Sequence, residues 1–479
     1  MGTRGSRKTR PDTRIGSTVK SSVQRAIAGA VAVVTVSAAA VVLMQDRSTT
    51  IKRITDASPA APGVAWVTEV SASGIDGATF SDPRTGSMYP WGPGSIRIDD
   101  MLLTLAVTPD GDGMNSDAVM VAVYAASGAV KWTSPAFELA SCAEQPLGGM
   151  LVCHRPSYSE QPGLVTFDLT TGESHTIETA PEIVAATVAN DRLYIAEGDL
   201  ESAEVTLHRG MLDDYDADWS TPIAVSAGWE DQYADQLIVG PEVGSFDVGG
   251  NFATFDAQTG EEIWSTDILD DCMIAQYRTA GDLAVGSDFD CNATSSDATG
   301  STASTRNGEE LATYRGSAEH YLSIDEPTDS SVPVVLGDTA FDRTTGEELW
   351  RNDLLVFDDP GDEWNEPRTR GTLVAVAGDI GVLRFDDNTV GIDLRTGGQL
   401  WSSAETWSLM AHDRDSVLAY VGGELVALDS HTGLRLWTAE FAKMTSDAGT
   451  SFETYVGGGD GTYVLQSGSM LVRLSPLPS

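Results

Sequence analysis

Two hydrophobic patterns run along this chain. One is a single unbroken apolar stretch, residues 26–44, AIAGAVAVVTVSAAAVVLM. The other, after residue 63, is a long succession of short apolar runs broken by Gly, Asp, Asn and Thr clusters. The first stretch holds no charge, and as a helix it measures about 28 Å, close to the hydrocarbon thickness of a bilayer. The second pattern has neither helical periodicity nor helix length. Runs such as ATFD (253–256), LVALD (425–429), GTLVAVAGD (371–379) and GVLRF (381–385) predict short strands separated by tight turns.

The turns repeat. FDAQTGEEIW (255–264) and FDRTTGEELW (341–350) are nearly the same ten letters. Their common frame is Asp-x-x-Thr-Gly-x-x-x-Trp. It holds Asp256, Thr259, Gly260 and Trp264, then Asp342, Thr345, Gly346 and Trp350. It recurs with Asp393, Thr396, Gly397 and Trp401, and with Asp429, Thr432, Gly433 and Trp437. Weaker copies keep Ser127, Gly128 and Trp132; Asp168, Thr171 and Gly172; and Gly308, with Ala312 in the tryptophan's place. A stretched copy surrounds Trp219. The spacing averages roughly 44 residues, the length of four short antiparallel strands, which is one propeller blade. Asp and Thr start the turn, Gly supplies positive φ, and the strand that follows carries the large aromatic. One blade cannot bury both faces of its sheet, so neighbours must cover it. Trp132, Trp264, Trp350, Trp401 and Trp437 are the expected docking residues between blades.

The fold predicted is therefore all-β: a β-propeller of four-stranded antiparallel blades over residues 64–479, preceded by one transmembrane helix. Eight copies predict eight blades. A further partial match, DPRTGSMYPW (82–91), and the motif-free C-terminal strands GTYVLQ and SMLVRLS set the range at seven to nine. Ring closure is expected to join N-terminal strands to a blade begun at the C-terminus.

The Asp-x-x-Thr-Gly-x-x-x-Trp frame, with an apolar strand before it, resembles the tryptophan-docking repeat of the PQQ-like β-propellers. That family includes quinoprotein dehydrogenases and non-enzymatic scaffolds such as the outer-membrane assembly propeller. The resemblance implies either a binding scaffold or an oxidoreductase that holds a quinone beside calcium. The catalytic residues expected of the dehydrogenases, including an adjacent-cysteine disulfide, find no positions here. No Gly-x-Ser-x-Gly, His-Glu-x-x-His or P-loop pattern occurs either. His154, His175, His208, His320, His412 and His431 are scattered and read as surface or turn residues. The expected protein is a non-enzyme with a protein or envelope partner. A PQQ-dependent oxidoreductase with a divergent site is the alternative.

Charge sharpens the topology. Residues 1–53 hold ten Lys or Arg against Asp12 and Asp46, leaving 19 basic and 69 acidic residues after them. A body this acidic repels nucleic acid, so no nucleic-acid partner is expected. The basic residues before residue 26 keep that end cytoplasmic by the positive-inside rule. The expected organisation is a basic cytoplasmic tail (1–25), a signal anchor (26–44), a flexible linker (45–63) and an extracytoplasmic propeller at the cell membrane. Four cysteines form two local pairs, Cys142 with Cys153 and Cys272 with Cys291, at matching places in two repeats. Disulfides are the natural reading outside the cell, although four cysteines allow three pairings.

One loop gathers hard oxygen ligands. In PDGDGMNSD (109–117), Asp110, Asp112, Asn115 and Asp117 suit calcium, although the spacing departs from the EF-hand and a plain polar hairpin loop has the same letters. A second acidic loop, FDDPGDEWNEP (357–367), carries Trp364 as a candidate contact residue.

Overall fold

The computed structural model describes residues 50–52 and 62–476, except 89–91, 110–114, 157–158, 178–182, 199–203, 225–235, 249–250, 266–272, 281–282, 291–297, 316–321, 356, 359–367, 370, 386–387, 422–423, 441–452 and 457–460. The expected anchor (26–44) and most of the linker lie outside the described residues. So do Asp110, Asp112, Cys272, Cys291 and Trp364. Among the described residues, no helix is long and apolar enough to cross a membrane.

The described strands form nine blade sheets. Blade 1 holds Met101–Pro109, Asn115–Tyr124 and Val130–Pro135, with its inner edge divided between Thr79–Ser81 and Ile96–Ile98. Blade 2 runs from Ser141–Cys142 to Ser174–Ile177, blade 3 from Ile183–Ala189 to Asp214–Ala224, and blade 4 from Gln236–Val239 to Glu262–Ser265. Blade 5 runs from Met273–Ala280 to Glu310–Tyr314. Blade 6 has three strands, Val334–Leu336, Thr339–Phe341 and Glu348–Arg351. Blade 7 runs from Gly371–Gly378 to Gln399–Ser403, and blade 8 from Ser408–Asp413 to Arg435–Glu440. Blade 9 joins the chain ends: Glu453–Val456, Tyr463–Gln466 and Met470–Pro476 pair onward to Pro62–Glu69.

Blade strands are buried on both faces because a neighbour covers each face. Gly371–Gly378 therefore reads as a nearly continuous apolar run rather than a clean alternation. The core is a series of shared clusters. One spans blades 1 and 2, from Leu103 and Trp132 to Phe167. Another spans blades 8 and 9, from Leu425 and Trp437 to Tyr463 and Leu474. A third spans blades 9 and 1, with Trp66 and Val464 against Phe80 and Val121.

Nine blades correct the expected eight. Each of the eight turn copies does sit between the last two strands of one blade. The ninth blade has no copy because its third and fourth strands are the two ends of the chain, with no turn between them. The stretch around Asp82–Gly86 is no blade turn. It lies in the divided inner edge of blade 1, where Asp82 accepts from the Arg84 N–H at 2.9 Å. There is no room for a side chain at Gly86, because the Leu139 and Ala140 carbonyls crowd it.

Two blades carry an extra strand. Ile324–Pro327 pairs parallel with Gly371–Gly378 at the inner edge of blade 7. At the opposite edge of the neighbouring sheet, Thr50–Lys52 pairs antiparallel with Arg435–Glu440 of blade 8.

Candidate interaction surface

The docking turn is a closed hydrogen-bonded unit. In blade 2, one Asp168 carboxylate oxygen accepts from the N–H groups of Thr170 (2.8 Å) and Thr171 (2.7 Å) and from the Thr171 hydroxyl (3.0 Å). The Gly172 N–H then returns to the Asp168 carbonyl at 2.8 Å. The same bonds recur at Asp256 and Asp342. These donations, first from the N–H of Thr171, Thr259 or Thr345, hold all three carboxyls below the usual carboxylate range. The turn aspartates are thus spent on local structure.

Trp132, Trp264, Trp350 and Trp401 each lie across the turn glycine of the next blade. A Cβ on Gly397 would stand 2.6 Å from the Trp350 ring, and its φ of +71° already favours glycine. The indole N–H donates to the carbonyl just after the turn aspartate: Trp350 to Leu394 at 2.7 Å, Trp401 to Ser430 at 2.7 Å, Trp132 to Leu169 at 3.1 Å. Trp66 in blade 9 does the same, lying over Gly128 and donating to the Ala125 carbonyl at 3.0 Å. Sequence reasoning missed Trp66, since no turn precedes it in the chain. Trp219 lies over Gly260, but there the Ala257 carbonyl takes the Tyr194 hydroxyl at 3.0 Å, and the Trp219 N–H has no partner among the described residues.

Other sequence candidates fall in different surroundings. Asn115 and Asp117 stand on the strand Asn115–Tyr124, with Asp117 exposed. Among the described residues, no group of three His, Cys, Asp or Glu converges as metal ligands. The inner edge of blade 7, which faces the ring axis, is occupied by Ile324–Pro327. Cys142 and Cys153 face each other across adjacent strands and are joined by a disulfide.

Two histidines are buried, contrary to the expected surface or turn positions. His154 lies inside blade 2 with Nδ1 at 3.2 Å from the Ser141 hydroxyl, and burial pushes its pKa down to about 4. His208 sits beside the Ser220 hydroxyl (2.8 Å) and Glu197 (3.3 Å), and burial lowers it too. Exposed charges near blades 6 to 8 largely pair with each other. Arg395 reaches Asp329 and Asp379, each at 3.6 Å, and Glu326 reaches His412 at 3.2 Å.

A β-bulge lies beside four of the tryptophans. The strand register slips just before Trp264, Trp350, Trp401 and Trp437. The slip is a β-bulge, which leaves one residue unpaired and turned out of the sheet. That residue is apolar each time: Ile263, Leu349, Leu400 and Leu436. The first three are 39%, 45% and 43% exposed, while Leu436 is 3% exposed. Single exposed apolar residues mean little, but the same position bare in blades 4, 6 and 7 repeats an apolar contact point on the rim. The signal was in the sequence, since Ile or Leu precedes the tryptophan in all four full copies.

This fold, with its docking turns, defines a β-propeller of tryptophan-docked repeats. Residues 337–477 match the family model described as outer membrane protein assembly factor BamB. No curated protein matches the chain. Among solved structures, BamB from Moraxella catarrhalis is 12% identical, covering 87% of this chain and 100% of that one, at a TM-score of 0.43. The computationally designed Ika8 protein is 11% identical, covering 84% and 97%, at 0.42. The dihydro-heme d1 dehydrogenase NirN is 12% identical, covering 74% and 69%, at 0.37.

Proposed function

We propose that this protein is a membrane-anchored, extracytoplasmic scaffold that binds another protein or envelope component on its outer rim and carries out no catalysis. The repeated contact point of Ile263, Leu349 and Leu400 supports this reading most directly. These side chains are large and apolar, and they recur at one structural position. The match of residues 337–477 to a family described as an assembly factor fits a protein-interaction role. The uncharged stretch 26–44, with basic residues before it, supports the anchor and its orientation. The acidic remainder favours a partner surface with basic residues around an apolar centre. Calcium at Asp110, Asp112, Asn115 and Asp117 belongs to the proposal as a stabiliser of that loop.

The test is cross-linking of the full-length protein in its native membrane, wild type against Leu349→Glu/Leu400→Glu. The expected result is loss of a specific cross-linked partner with an unchanged melting temperature. Retention of every partner by the double variant contradicts the rim as the binding surface. Titration with PQQ and calcium tests the non-catalytic part. Saturable quinone binding with turnover of an alcohol or sugar would overturn it.

A further inference from the structure

Blade 8 differs from blades 4, 6 and 7 at the rim. Its bulge residue, Leu436, is covered where Ile263, Leu349 and Leu400 are bare. Its outer strand is also the one that accepts a further strand. Thr50 lies opposite Ala439, Ile51 opposite Thr438 and Lys52 opposite Trp437. The chain then enters blade 9, where Pro62–Glu69 forms the outer strand. Residues 50–52 thus lie at the outer edge of one blade and residues 62–69 at the outer edge of the next.

The seam beneath that crossing is unusual. Trp437 points at blade 9, which has no docking turn, so no carbonyl waits for its indole. The N–H is buried without a partner among the described residues. The ring instead stacks on Tyr463, centroids 5.7 Å apart, and the Tyr463 hydroxyl donates to Asp413 at 3.0 Å. This contact replaces the turn but does not reproduce its backbone bond.

We infer that the outer edge of blade 8 is a strand-binding surface whose occupant is the chain's own segment 50–52, which straps blade 8 to blade 9 across the seam that lacks a docking turn. Strand addition suits this edge, because main-chain hydrogen bonds supply the affinity without demanding a particular sequence. Three residues bind an edge weakly on their own. Tethering to Pro62 makes the contact intramolecular and raises its effective concentration to the millimolar range, on the order of that for short linkers. The consequence is directional. A force or partner that lifts residues 50–52 exposes the outer edge of blade 8. This inference rests on the fold and not on the proposed rim partner.

Two experiments on the full-length chain test it. Thr50→Cys with Ala439→Cys should form an intrachain disulfide, identified by peptide mass mapping under non-reducing conditions. An interchain disulfide, or none, overturns the cis arrangement. Ile51→Pro should remove the protection of those amides in residues 437–439 that face residues 50–52, bringing their exchange to the rate of the outward-facing amides on the outer strand Gln399–Ser403 of blade 7. Unchanged protection at 437–439 in that variant overturns the strap. Loss of a rim partner with the strap intact, or the reverse, separates this inference from the functional proposal.

Discussion

The seam between blades 7 and 8 and the seam between blades 8 and 9 are built from the same starting residue. In the first, Trp401 lies over Gly433 and gives its N–H to Ser430. In the second, Trp437 occupies the same place on its strand but faces a blade with no turn. In the first seam the docking indole N–H has its acceptor. The second keeps the apolar contact, loses the hydrogen bond, and adds Tyr463 and the strand at residues 50–52. The docking motif therefore contributes two separable things, aromatic packing and a backbone bond. Ring closure retains only the packing.

The largest effect expected is on packing, and it should not distinguish the seams. Trp401→Ala and Trp437→Ala should each cost about 3–5 kcal/mol, read as large drops in the thermal midpoint. A small drop at Trp437 alone would mean that the closing seam is not a packed interface.

The Cys142–Cys153 bond reinforces blade 2, whose fourth strand brings no tryptophan to blade 3. Reduction should lower stability by about 2–4 kcal/mol. Thiol titration after mild reductant, paired with a melting curve, checks this. An unchanged midpoint would show that blade 2 does not need the link.

Acid should act on the same blade. His154 is held neutral, with its pKa lowered to about 4 from 6.5, so the unfolded chain takes up the proton first as pH falls. Stability is then full above pH 6.5 and declines toward pH 4. The loss from pH 7 to pH 5 should be roughly 2 kcal/mol. Asp247 works in the opposite sense, because burial raises its carboxyl to about 6 and lowering the pH relieves its cost. Comparing wild type with His154→Gln isolates the histidine. The variant should have a flatter stability profile between pH 7 and pH 5.

Much of the architecture was legible because the turn chemistry is local. Asp, Thr and Gly at fixed offsets specify one hairpin wherever they occur, so the copies marked the blades. The blade number was misread for a related reason. A motif written in a turn cannot mark the blade whose turn is replaced by the chain ends. Trp66 was invisible on the same grounds. Asp82–Gly86 misled because three residue types can build a similar turn away from a blade hairpin. The rim residues Ile263, Leu349 and Leu400 passed as ordinary strand positions, since a bulge reverses which face a residue shows and apolar alternation does not reveal it. The burial of His154 depends on a neighbouring blade, which no local pattern encodes.

The most direct test of the two-part docking motif replaces each tryptophan by phenylalanine, keeping an aromatic ring and removing the N–H. Trp350→Phe should leave the Leu394 carbonyl without its donor and cost about 1–2 kcal/mol. Trp437→Phe removes a buried donor that has no acceptor, and its thermal midpoint should stay level or rise. Equal losses at both positions, or a greater loss at Trp437, would contradict the account.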